Sequence, residues 1–164
     1  MILVGLGANL PSAAGPPEAT IAAALAALAE AGIVIGARSR LYRSAPEPRS
    51  DQPWFVNAVA VLETGLDPPA LLALFHRIEA RFGRRRAQPN EARPLDLDLL
   101  AYDDLVRAGP EGPILPHPQL HQRAFVLLPL REVAPDWRHP RLGRSVNELL
   151  AALPPGQTAE ALGG

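Results

Sequence analysis

The chain has 164 residues, 48% apolar and 20% charged content and a formal net charge of −1, which fits one globular domain with a buried core and argues against a general nucleic-acid binder. It contains no cysteine, and all 16 of its Lys+Arg residues are arginine; disulfides, thiol nucleophiles, cysteine-held metals, a P-loop lysine and a Schiff-base lysine are therefore excluded. The N-terminus has no basic n-region, and the most apolar helical stretch, residues 21–29, is too short to span a bilayer, so a soluble, cytoplasmic protein without membrane contacts is expected.

Residues 2–6 are a short apolar run ending in Gly5-Leu6-Gly7-Ala8-Asn9, which reads as a buried strand entering a tight turn. Position 10 is Leu where a dinucleotide fingerprint needs its third glycine, so that reading is set aside. Residues 18–31 form an alanine/leucine helix introduced by Pro16-Pro17 and stopped by Gly32. Residues 33–42 and 55–63 read as strands, the second rich in valine, and 44–53 between them is a Pro-rich polar loop. Asp67-Pro68 marks a helix start, and Leu71, Leu74, Phe75 and Ile78 recur at helical spacing up to Phe82. A basic loop over 83–94 leads into a strand over 95–101. This β-α-β-β-α-β order predicts a ferredoxin-like α+β sandwich. Beyond it lie a turn at Asp103-Asp104, a helical pattern over 123–133, and a last helix opened by the capping box Ser145-Val146-Asn147-Glu148. These extra C-terminal helices belong to the same single domain, 1–164, whose tail frays from Pro154.

The chemistry concentrates in Arg93-Pro94-Leu95-Asp96-Leu97-Asp98-Leu99-Leu100. Side chains two apart on a strand share a face, so Asp96 and Asp98 project side by side while Leu95, Leu97 and Leu99 face the other way. Two like charges about 7 Å apart on one face repel unless a cation lies between them. Hard carboxylate oxygens suit Mg²⁺, which leaves its remaining positions to water and phosphate oxygens. Alone, the octapeptide also fits a solvated strand edge. Arg84, Arg85, Arg86 and Arg93 tilt the balance, because guanidinium forks beside metal-binding carboxylates suit a polyphosphate.

Pro116-His117-Pro118 holds a histidine with few conformations, suited to a phosphate or metal contact or to a rigid surface turn. His76, His121 and His139 have no such context and are expected at the surface. Phe55 and Asn57 share a strand face, where a ring could stack on a flat heterocycle and an amide could read its edge; Phe125 could supply a second ring.

Together these pieces resemble the 6-hydroxymethyl-7,8-dihydropterin pyrophosphokinase family. The segments that carry the likeness are Gly5-Leu6-Gly7-Ala8-Asn9-Leu10, Tyr42-Arg43-Ser44-Ala45-Pro46, Asp51-Gln52-Pro53-Trp54-Phe55-Val56-Asn57-Ala58, Arg77-Ile78-Glu79 and Gly83-Arg84. Arg93 to Leu100, Pro116-His117-Pro118 and Arg123-Ala124-Phe125-Val126-Leu127 complete it. The resemblance implies that the terminal pyrophosphoryl group of ATP, the co-substrate, passes to the pterin hydroxymethyl, giving AMP and the pterin diphosphate in folate biosynthesis. It implies that Asp96 and Asp98 hold two Mg²⁺ ions and that Arg84 and Arg93 act on the phosphates in the transition state. It further implies that Ser44, Ala45, Pro46, Phe55, Asn57 and Phe125 bind the pterin, and that Leu72, His76, Glu79, Arg86, His117 and Arg123 bind ATP. The partners implied are these two small molecules, with no nucleic acid and with the protein a monomer. Relatives carry glutamine at the position of His76, and a tryptophan of their basic loop is replaced here by Pro89-Asn90-Glu91. A ferredoxin-like RNA-binding module is the rival from another class, but the aspartates would repel phosphate there and no RNP pattern is present. A silent pterin-binding protein is disfavoured because both aspartates and both principal arginines are intact.

Overall fold

The computed structural model describes residues 1–46, 50–83, 92–110 and 112–162. Strands β1 (Ile2–Ala8), β2 (Val34–Arg38), β3 (Tyr42–Ser44), β4 (Phe55–Glu63), β5 (Asp96–Tyr102) and β6 (Ala159–Ala161) form one sheet in the order β5-β1-β4-β3-β6, with β2 also paired to β4. Every pairing is antiparallel. Helices α1 (Pro17–Glu30) and α2 (Pro68–Arg81) connect the strands of the first hundred residues; α3 (Ala124–Val133) and α4 (Val146–Ala151) follow β5. The fold is the expected ferredoxin-like α+β sandwich with added C-terminal helices.

Alternation along the strands decides what each sheet face packs against. Val4 and Leu6 of β1, Ala58 and Ala60 of β4, and Leu97 and Leu99 of β5 are buried with Ile21 and Leu28 of α1 and Phe75 and Ile78 of α2. On the opposite face Leu3, Val59 and Leu100 pack with Leu127 and Leu130 of α3 and Val146 and Leu149 of α4. A register shift between Leu3 and Val4 against β5 turns both Leu100 and Ala101 into this second core. The α3/α4 layer covers only one end of that face.

The helix signals hold locally. Asp67 accepts from the Ala70 N–H at 2.9 Å, and Ser145 and Glu148 form the reciprocal capping box. Two expectations change. The strand expected over 33–42 is broken: β2 ends at Arg38 and β3 begins at Tyr42. Ser39 causes the break, its N–H donating to the Val59 carbonyl and its hydroxyl accepting from the Val59 N–H, where the register on β4 shifts. The tail expected to fray instead supplies β6, an edge strand on β3. Among the described residues no helix is long and apolar enough to cross a membrane.

Candidate active site

At the uncovered end of the second face, β1 lies between β5 and β4 with Gly7 opposite both Asp96 and Asn57, and Gly5 opposite both Asp98 and Val59. Two glycines in the middle strand leave the floor without side chains, so the neighbouring rows flank a trough. Its lining includes Asp96 and Asp98 on one side, Ser44, Ala45, Pro46, Phe55 and Asn57 on the other, and Arg93, Arg123 and Phe125 above, around roughly 760 Å³ open to solvent. A Cβ at Gly7 would stand 3.1 Å from Asn57 Oδ1, so the close approach of that amide requires glycine.

The walls are tied together by buried polar groups. Asn9, 2% exposed, accepts the Arg93 N–H on Oδ1 at 2.8 Å and donates through Nδ2 to Gln52 Oε1 and the Pro53 carbonyl, each at 3.1 Å. One side chain thus fixes the segment carrying Arg93 against the loop leading to Phe55. Asn57 donates to Ser44 Oγ at 2.7 Å inside the protein, which locks the amide's orientation. In the sequence Asn9 and Gln52 figure only within segments that carry the family likeness, with no role of their own, since their partners lie 43 to 84 residues away. The one available signal was an asparagine ending a buried strand.

Asp96 and Asp98 project to the trough from β5 while Leu95, Leu97 and Leu99 are buried behind them. Burial and then the adjacent Asp96 push the Asp98 carboxyl up to about 8, with Glu79 adding to the rise and Arg123 opposing it. A positive charge beside this carboxyl would oppose the rise, as Arg123 already does in part. Arg93 forms an ion pair with Asp96 at 3.6 Å. Glu79, 1% exposed on α2, accepts the Leu97 N–H at 2.8 Å, holding the backbone between the two aspartates. Glu79, an ATP contact in the sequence reading, is thus buried against the backbone that carries the two aspartates, close enough for its charge to act on Asp98, and is not among the residues that line the trough.

His117 follows the cis Leu115–Pro116 bond; its N–H donates to the Leu100 carbonyl and its Nδ1 accepts from Gln119. Burial and the nearby Arg123 charge lower its pKa to about 4, so the ring is neutral at pH 7. The Arg123 guanidinium lies 5.2 Å from the centre of the Phe125 ring and donates to Gln119 Oε1. Leu72 and His76 lie on α2, outside the residues that line the trough. Arg84, Arg85 and Arg86 fall outside the described residues. His139, expected at the surface, is fully buried: its Nδ1 accepts from the Arg141 and Leu142 N–H groups, and its ring packs edge-on against Trp137 and His121. Among the described residues no cluster of three or more His, Cys, Asp or Glu could hold a metal. The Asp pair could serve as donors to Mg²⁺, which needs only one or two carboxylates.

A family model described as 7,8-dihydro-6-hydroxymethylpterin-pyrophosphokinase (HPPK) matches residues 3–135. Two curated proteins named 2-amino-4-hydroxy-6-hydroxymethyldihydropteridine pyrophosphokinase are similar over nearly their whole length. That of Methylorubrum extorquens is 41% identical over 93% of this chain and 92% of its own, and that of Pseudomonas aeruginosa is 44% identical over 93% and 91%. Among solved structures, wild-type HPPK-DHPS of Plasmodium falciparum gives a TM-score of 0.67 at 15% identity over 92% of this chain. The chain spans 44% of that longer protein, and the likeness to it concerns the fold.

Proposed function

The chain belongs to the 7,8-dihydro-6-hydroxymethylpterin-pyrophosphokinase family, whose activity transfers pyrophosphate from ATP to hydroxymethyldihydropterin in folate synthesis, and we propose that the trough on β1, β4 and β5 is where this chain performs it. The observation that supports this placement is the Asp96/Asp98 pair at the edge of a floor made of glycine, between aromatic walls and two arginines.

Phe55 on β4 and Phe125 on α3 both line the trough, and a flat pterin would stack between two such rings. Asn57, held by Ser44, presents its amide to the heterocycle's edge, and the backbone of residues 44–46 supplies further donors and acceptors. Asp96 and Asp98 would hold Mg²⁺, two ions in our reading, whose contribution when bound is to neutralise phosphate oxygens and align an in-line displacement. Arg93 and Arg123 reach the same space with fixed positive charge and forked donors suited to phosphate. Neutral His117, with Nδ1 occupied by the Gln119 N–H, carries its proton on Nε2 and can donate it to an ATP oxygen without adding charge.

The pterin hydroxyl oxygen attacks the β-phosphorus and its proton passes to solvent; a new O–P bond forms as the bridge between the α and β phosphorus atoms breaks, and that bond's electron pair leaves with AMP. The protein's part is positioning, which suits a chain without lysine. Chromatography after mixing with ATP, Mg²⁺ and the hydroxymethylpterin tests the reading. AMP and pterin diphosphate in equal amounts are expected; ADP with a singly phosphorylated pterin would overturn it.

A further inference from the structure

Arg123 and Phe125 stand at the start of α3, yet the helix has no cap of its own. Its N-cap residue is Arg123, which makes no side-chain capping bond. The first N–H groups of a helix need acceptors from elsewhere. Here one comes from Gln157: its Oε1 accepts the Ala124 N–H at 2.8 Å, while its Nε2 donates to the Gln122 carbonyl at 2.7 Å. A single amide therefore grips the backbone on both sides of Arg123 across 33 and 35 residues of sequence.

The residues that follow bind β3 and the segments beside it. The Thr158 carbonyl accepts from the Ala45 N–H at 3.2 Å; Ala159, Glu160 and Ala161 pair with Ser44, Arg43 and Tyr42; and the Leu162 N–H donates to the Leu41 carbonyl at 2.8 Å. Glu160 adds an ion pair to Arg43 at 3.0 Å. Residues 157–162 thus bridge the start of α3, which carries Arg123 and Phe125 above the trough, to the end of β3 on its Ser44 side.

We propose that Gln157 is a positioning residue for the pyrophosphoryl transfer, and that residues 157–162 latch the start of α3 to β3 at the spacing the pterin needs. The proposal rests on the reading of the trough given above. The geometry favours a role beyond stability because the amide grips Arg123 and its neighbours, whereas a helix cap placed for stability alone could stand on any helix. Two hydrogen bonds, each worth about 1 kcal/mol net, correspond to about tenfold or more in the placement of the residues they hold.

Gln157→Ala tests it. The expected result is a KM for the pterin raised about tenfold, with the Ala124 amide losing protection from hydrogen exchange. Gln157→Glu, which keeps the acceptor for Ala124 but loses the donor to Gln122, should give an intermediate KM; it also serves as the second variant should the alanine form fail to fold. Glu30→Gln, at the exposed end of α1 and outside β6 and the trough, should leave KM unchanged. A purely structural Gln157 would lower the melting temperature and the active fraction while KM stayed at the wild-type value, and that result overturns the latch. If the wild-type protein forms no pterin diphosphate, the reading of the trough has failed instead; the exchange of the Ala124 amide, measured without substrates, tells the two failures apart.

Discussion

Asp98→Asn should stabilise the metal-free protein while destroying its activity, and the size of the gain should depend on pH. The Asp98 carboxyl is raised from 3.8 to about 8 by burial and by Asp96. A carboxyl raised in the folded state binds its proton more tightly there than in the unfolded chain, so the folded protein is favoured at low pH and loses stability as pH climbs through this window. Each pH unit between the two values changes stability by at most about 1.4 kcal/mol, and water reaching the trough reduces that to roughly half. Between about pH 5 and 7 the cost to the parent therefore grows by roughly 1–2 kcal/mol, which an amide of the same shape does not incur. Urea unfolding without Mg²⁺ should show Asp98→Asn more stable than the parent at about pH 8, with the gap closing toward pH 4. Millimolar Mg²⁺ should narrow or reverse the order, since it rewards only the intact pair. A gap independent of pH, or a parent more stable than the variant at pH 8 without metal, would refute the electrostatic argument.

Arg93→Ala should lower kcat by roughly 10³-fold or more with a much smaller change in ATP affinity, and Arg93→Lys should restore only part of it, because a lysine loses the forked geometry; steady-state kinetics decides this, and a change confined to ATP affinity would reassign Arg93 to ground-state binding. Gly7→Ala places a methyl 3.1 Å from Asn57 Oδ1, so the amide must shift by a few tenths of an ångström; the KM for the pterin should rise by up to about tenfold, the value of one well-placed hydrogen bond to a buried group, while the KM for ATP holds. Buried His139, lowered to about 4 by burial, His121 and Arg141, is neutral in the fold. Its depressed value makes its contribution fully present above about pH 6.5 and progressively lost as pH falls toward 4, so unfolding midpoints should drop over that interval and drop less in His139→Gln.

The elements that a local pattern specifies were legible in the sequence. The Asp67 cap, the Ser145 capping box and the alternation of Asp96 and Asp98 with buried leucines each need only a few neighbouring residues, and each stands in the structure as read. What escaped depends on contacts distant in sequence. The break at Ser39 needs Val59, the burial of His139 draws on His121, and the order of the tail needs β3. Asn9 is the sharpest case, an asparagine quoted only as part of a segment, whose three partners lie on two other segments.

The placement of the trough follows from a difference between the two faces of one strand. On its inner face β1 carries Val4, Leu6 and Ala8, all buried under the helices; on the other it carries Leu3, then Gly5 and Gly7. Leu3 is long enough to meet α3 and α4, so the second core closes over that end of the sheet. Two glycines further along there is nothing for a helix to pack against, and a helix laid there would bury Asp96, Asp98 and Asn57 without apolar contacts to offset their desolvation. The same substitution of glycine for a larger residue therefore ends the second core and opens the floor of the site. Filling the row should act twice, by blocking the heterocycle and by giving the α3 layer a surface onto which to slide. A crystal structure of Gly5→Ala, whose Cβ would stand 3.4 Å from the Leu100 side chain, should show the trough narrowed from its floor with the β1 to β5 register retained; an unchanged trough would mean that the floor is set by the flanking walls and not by the glycines.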